Sequence, residues 1–162
     1  FMGHSLCALV GLEFACKNSD RIKSLICVNG WITISKHTRR CFDTRCELLL
    51  ASGVEAYVKA QPIFLYPAAW LEAHAEEIER EEKAGILNFQ GIDNLLRRIN
   101  ALLKFDANEW LHDLCCPLLV AASRDDVLVP WTCSKKLADV VENSTLWITQ
   151  EGGHGFTAVD PN

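Results

Sequence analysis

The stretch "GHSLC", Gly3 to Cys7, runs directly into the apolar segment "ALVGLEFAC", and this junction constrains the fold more than any other part of the chain. A serine with small residues two before and two after it, at the head of an apolar helix, suits a sharp strand-to-helix turn. Larger side chains at those two places would collide with neighbouring strands. Gly3 meets the requirement, and Cys7 stands where glycine is usual. Two readings of Ser5 follow from the pentapeptide: a nucleophile held on a strained turn, or a plain helix N-cap. The helix predicted over 5–17 is apolar on nearly every side, so it is expected to be buried on both faces.

A helix of that kind needs a sheet to cover it. "SLICVNGW" (24–31) reads as a short buried strand ending near Gly30, in the manner of a central parallel strand. Strand character returns in "CPLLVAAS" (116–123) and in "STLWIT" (144–149), with a helix at about 131–141 between them. From about 37 to 113 the pattern is helical, with turn signals at Gly53, Pro62, Pro67, Gly85 and Gly91. Within it, "HAEEIEREEKAG" (74–85) sets Glu76 against Arg80 and Glu79 against Lys83 at i,i+4 spacing, the mark of a solvated face. The order predicts a parallel α/β sheet with a helical insertion after one strand. It divides as core over 1–36, helical lid over 37–113 and core again over 114–162.

Composition narrows the functional classes. The net charge of −5 comes with no basic cluster, which argues against a nucleic-acid partner or an anionic membrane surface. No apolar run approaches the length of a spanning helix. The eight cysteines include no CxxC pair, and several sit inside apolar runs. They read as small buried residues of a reducing, cytoplasmic compartment rather than as a disulfide framework. The five histidines are scattered without HxxxH or HExxH spacing, so no metal is expected, and no cofactor is implied.

Two further residues join Ser5 in this frame. Asp126, in "AASRDDVLVP", lies in the loop just past a strand, at the sheet edge where ligands of α/β proteins bind. Asp125 competes for the role. The "DVLVP" spacing favours Asp126, with Asp125 facing water or capping the turn. His154, in "EGGHGF", follows the last strand, and its flanking glycines allow a tight turn that brings the imidazole over the sheet edge. Ser, then Asp, then His, each just past a strand, is the chain order of a triad built on an α/β sheet.

These three sites resemble the triad of the α/β-hydrolase superfamily. The phrases "LICVNGWITISKHTRRCF", "AQPIFLYPAAW" and "FQGIDNLLRRINALLKFDA" are similar to the aminoacrylate or carbamate hydrolases of pyrimidine (uracil) utilisation, over essentially the whole chain. The resemblance implies an α/β-hydrolase fold with a helical lid, its parallel sheet incomplete here. It also implies a hydrolase acting on a small polar substrate, with Ser5, Asp126 and His154 in catalysis. The backbone N–H of Leu6 would be one oxyanion donor, the second coming from a loop upstream of Phe1, and a C-terminal helix would follow Asn162. On that expectation the 162-residue chain alone is poorly soluble or oligomeric and nearly inactive.

Other expectations are less specific. Leu95, Leu96, Ile99, Leu102 and Leu103 form the packed stripe of one helix, while Arg97 or Arg98 is either solvated or holds a substrate carboxylate. Trp31 and Trp70 line a pocket or fill the core, and Asn29 is a candidate to orient a polar substrate. A general carboxylesterase, a carbon–carbon-bond hydrolase and an inactive binding module are the alternatives in function. The partner expected is a small molecule, and the oligomeric state is left open, a homodimer among the options.

Overall fold

A computed structural model describes residues 1–160. Its centre is a parallel sheet of four strands in chain order: β1 (Met2–His4), β2 (Leu25–Val28), β3 (Leu118–Ser123) and β4 (Ser144–Thr149). Because all four run the same way, their carboxyl ends share one edge. Ser5, Asn29, the loop after Ser123 and the loop after Thr149 all leave from it.

Alternation along the strands divides the packing. Leu25, Cys27, Leu118 and Val120 enter the main core with helices α1 (Leu6–Lys17) and α6 (Trp131–Val140). Ile26, Val28 and Ala121 face the other way, against Phe156 of the short helix α7 (Phe156–Val159). Helix α1 is buried through Ala8, Leu9, Gly11, Leu12 and Ala15. The expectation of burial on both faces fails: Val10 is 54% and Phe14 38% exposed, because one layer of sheet covers one face of the helix. The cysteines are all free, but only Cys27, Cys41 and Cys116 are buried; Cys7 and Cys115 are exposed.

β2 stops at Val28, two residues before the expected end at Gly30. Asn29 turns to φ 52°, a conformation asparagine tolerates better than most residues, and its N–H bonds the Ala121 carbonyl at 2.8 Å. The helical insertion then follows as α2 (Lys36–Leu65), α3 (Ala68–Ala73), α4 (Ala75–Leu87) and α5 (Ile92–Lys104). Ser35 caps α2, its hydroxyl accepting from the Thr38 N–H at 2.9 Å. Gly53, at φ 86°, breaks α2 into two helical halves. Pro67 and Gly91 begin α3 and α5, whereas Pro62 and Gly85 lie inside helices rather than at turns. On α4 only Ile78 is buried, yet neither expected ion pair closes there; the i,i+4 pairs among the described residues are Lys17–Glu13, Lys59–Glu55 and Lys135–Asp139. Helix α5 buries Leu95, Ile99 and Leu102, with Leu96 and Leu103 packed at its margin. The insertion returns beside its start, where the Ala107 N–H bonds the Ile32 carbonyl at 3.0 Å. Among the described residues, no helix is long and apolar enough to cross a membrane.

Candidate active site

Ser5 occupies the turn between β1 and α1 with φ 52° and ψ −114°. That conformation is costly for a residue with a side chain, and surrounding bonds hold it. The Ser5 N–H donates to the Val28 carbonyl at 2.8 Å, and the Ser5 carbonyl accepts from Ala8 and Leu9. The side chain makes no capping hydrogen bond, so the N-cap reading does not describe its role. Gly3 is required by close approach: a Cβ there would meet the Cys7 carbonyl oxygen at 2.3 Å. Cys7 itself is exposed and borders an open cavity, which explains how a side chain fits where glycine is usual.

His154 lies buried in the loop after β4, and its Nδ1 is 2.7 Å from Asp126 Oδ2. The second carboxylate oxygen of Asp126 accepts from the N–H groups of Leu128 and Val129, both at 2.8 Å. Those two bonds fix the carboxylate, and the carboxylate fixes the ring. The neighbouring Asp125 is part-buried and does more than cap its own turn. It accepts from the Ser123 hydroxyl at 2.5 Å, from Gly153 N–H at 2.8 Å and from Gly152 N–H at 3.2 Å. Desolvation works against its charge, but those donors outweigh it and hold the carboxyl below its ordinary range. The two adjacent aspartates thus divide the work: one holds the imidazole, the other the loop that carries it.

The histidine loop is also pinned from the lid. Gly155 N–H donates to the Leu65 carbonyl at 2.8 Å, at the end of α2. Gly153 sits at φ 66°, and a Cβ there would lie 2.7 Å from the same Leu65 oxygen. On the sheet side, Asn29 Nδ2 donates to the His154 carbonyl at 2.7 Å, and His4 Nε2 lies 3.0 Å from that oxygen. The His4 and His154 rings are 4.7 Å apart. Although part of its ring reaches solvent, His4 is lowered to about 4, first by desolvation of its inward edge and then by His154 beside it.

Ser5, Leu6 and His154 open on one cavity of about 670 Å³ between the sheet edge and the lid, within the usual size of a small-molecule site. No hydrogen bond among the described residues joins Ser5 to His154; the closed bond is the one from Asp126. Leu6 is the first residue of α1, so its N–H has no partner within the helix and is free for an oxyanion.

The five residues considered for substrate contact separate sharply. Arg98 lines the cavity, its Nη1 donating to Gln90 Oε1 at 2.7 Å. Arg97 borders a different surface dent and donates from Nε to the Asp93 carbonyl. Trp31 is core, 1% exposed, and Trp70 stacks between Tyr66 and His74 without reaching the cavity. Asn29 is 0% exposed and also stays out of the cavity, because its amide is committed to the histidine loop. Sequence reasoning missed Arg45, which is buried in the cavity wall. Its signal was its spacing: Thr38, Cys41, Phe42, Arg45 and Leu49 form the buried stripe of α2, with the arginine at a core-facing place.

No protein-family model matches the chain. Curated relatives named "Putative carbamate hydrolase RutD" do. The protein from Enterobacter cloacae is 46% identical over 160 residues, 99% of this chain and 60% of the relative. That from Caulobacter sp. strain K31 is 48% identical with the same coverage, and that from Agrobacterium fabrum 45% identical over 162 residues, covering 62% of the relative. The chain therefore spans about three fifths of the length of these relatives. Among solved structures, MGS-M2, an α/β hydrolase from a deep-sea metagenome, superposes with TM-score 0.89 at 22% identity, over 99% of this chain and 59% of its own. A hydrolase from Pseudomonas aeruginosa does so with TM-score 0.84 at 20% identity, with the same coverage. The chain thus has the fold of the α/β hydrolases, and over nearly its whole length it is similar in sequence to the RutD relatives.

Proposed function

We propose that the protein carrying this chain is a RutD-like hydrolase that promotes the breakdown of aminoacrylate or a carbamate in uracil catabolism, with Ser5, Asp126 and His154 as its triad. What carries the proposal is the buried 2.7 Å pair of Asp126 and His154, whose imidazole reaches the cavity that Ser5 borders from a strained turn. With Asp126 on Nδ1, the His154 proton is held there and Nε2 is the basic nitrogen. With a carbamate it takes the Ser5 proton as the serine oxygen attacks the carbonyl carbon, and then returns it to the leaving nitrogen. The Leu6 N–H stabilises the negative oxygen formed in between, a contribution of about 10²–10³ in rate for one such donor. The acyl group then leaves by attack of water, activated by the same Nε2. Aminoacrylate differs, because its nitrogen is not on a carbonyl carbon. There Nε2 activates water to add to the carbon that bears the nitrogen in its imine tautomer, and ammonia leaves.

A chemical role for Ser5 rather than a packing one is favoured by its φ of 52°, a strain that a residue with only a packing role would relieve. The discriminating experiment compares turnover of freshly generated aminoacrylate and of a carbamate with that of short aryl esters. Preference for the nitrogen-bearing substrates supports the proposal; esters turned over as fast would make the protein a general carboxylesterase.

A further inference from the structure

We infer that Arg45, a lid residue, is the anchor for a substrate carboxylate, and that the cavity selects small monoanions over their uncharged amides. This rests on the hydrolase reading of the same cavity and deepens it by naming the group that recognises the ligand.

Arg45 is only 7% exposed, yet it makes no ion pair among the described residues. Its Nη2 donates to two neutral acceptors, the Tyr57 hydroxyl at 3.2 Å and Gln61 Oε1. Its Nε is buried without any partner. Around the guanidinium stand the rings of Phe42, Tyr57 and Phe64, with centroids 5.0, 5.6 and 5.5 Å from its Cζ. Such faces attract a cation but do not neutralise it. A buried charge with an unsatisfied donor is costly unless something pairs with it.

The cavity itself supplies the second observation. Its lining includes Arg45 and Arg98 and no aspartate or glutamate, in a chain whose net charge is −5. The cavity that Ser5 and His154 border is thus lined by two cationic side chains and by no carboxylate. A planar guanidinium with free donors matches a carboxylate, which accepts at two oxygens. The bonds to Tyr57 and Gln61 tie the two halves of α2 across Gly53, and they orient the arginine without consuming its charge.

The test uses propionate and propionamide as probes, titrated into the protein and followed by NMR shifts and calorimetry. In the unaltered protein, propionate is expected to bind and propionamide not to. Arg45→Gln is expected to weaken propionate about ten- to a hundredfold, and Arg45→Lys to restore part of that loss. Equal binding of the two probes, or propionate binding unchanged in a folded Arg45→Gln protein, would overturn the proposal. If Arg45→Gln does not fold, the comparison of the two probes in the unaltered protein still decides. Ser5→Ala keeps the two readings apart: it should abolish turnover and leave propionate binding intact. An inactive protein that still prefers propionate would contradict the hydrolase reading alone. An active one blind to the charge would contradict only the role of Arg45.

Discussion

The Asn29 side chain donates to the carbonyl oxygen of His154 at 2.7 Å, so the residue that ends β2 holds the backbone of the residue that follows β4. Two loops 125 residues apart are fastened at the edge where the candidate triad assembles. Asn29→Gly tests this without disturbing the backbone, since glycine accepts the φ of 52°. It is expected to lower stability by about 1–2 kcal/mol by denaturant unfolding. The rate should fall through kcat more than KM, because the amide touches the histidine loop and not the cavity.

Asp126→Asn should be crippling, with kcat down by about 10³–10⁴, because an asparagine amide at that place favours the wrong imidazole tautomer. Asp125→Asn should also be damaging, by about tenfold, through loss of the anchor on the Gly152 and Gly153 N–H groups. Steady-state kinetics on both variants checks the order. An Asp125→Asn enzyme equal to the parent would remove the loop-anchoring role.

The pH dependence of stability has a worked sign. The folded-state value of His4 is about 4, below its ordinary 6.5, so the unfolded chain binds the extra proton more readily. The stability that His4 contributes is complete above pH 6.5 and is lost as pH falls through 4. Asp125, also lowered, contributes stability above the ordinary carboxylate range that is lost on further acidification. Urea midpoints measured from pH 7.5 to 4 should therefore fall, and His4→Gln should flatten the upper part of that fall.

Gly153→Ala places a methyl group 2.7 Å from the Leu65 carbonyl oxygen on a backbone of φ 66°. The loop must shift, and with it the imidazole. Thermal unfolding should show a loss of about 1–3 kcal/mol, and Gly155 should lose protection in amide exchange as its bond to Leu65 opens.

Much of the sheet edge was legible in the sequence because it is written in short local patterns. A small residue two before Ser5, an acidic loop after "LLVAAS" and glycines around His154 are each readable within a few residues. Roles that depend on a distant partner were not. Asn29 looked like a substrate ligand because its polarity is visible and its bond to His154 is not. Asp125 looked idle because its acceptors' partners lie 27 and 28 residues away. Arg45 was hidden in the polar run "KHTRRCFDTRCE", and only the break at Gly53 folds α2 back so that Tyr57 and Gln61 meet it.

The central claim is that Ser5 is a nucleophile activated by His154, and covalent labelling tests it most directly. The protein carrying this chain is treated with a fluorophosphonate ester, digested, and the modified residue located by mass spectrometry. The account predicts one adduct, on Ser5, formed in the parent and lost in His154→Ala with the fold intact by circular dichroism. An adduct on another residue, or labelling of Ser5 that proceeds equally without His154, would contradict it.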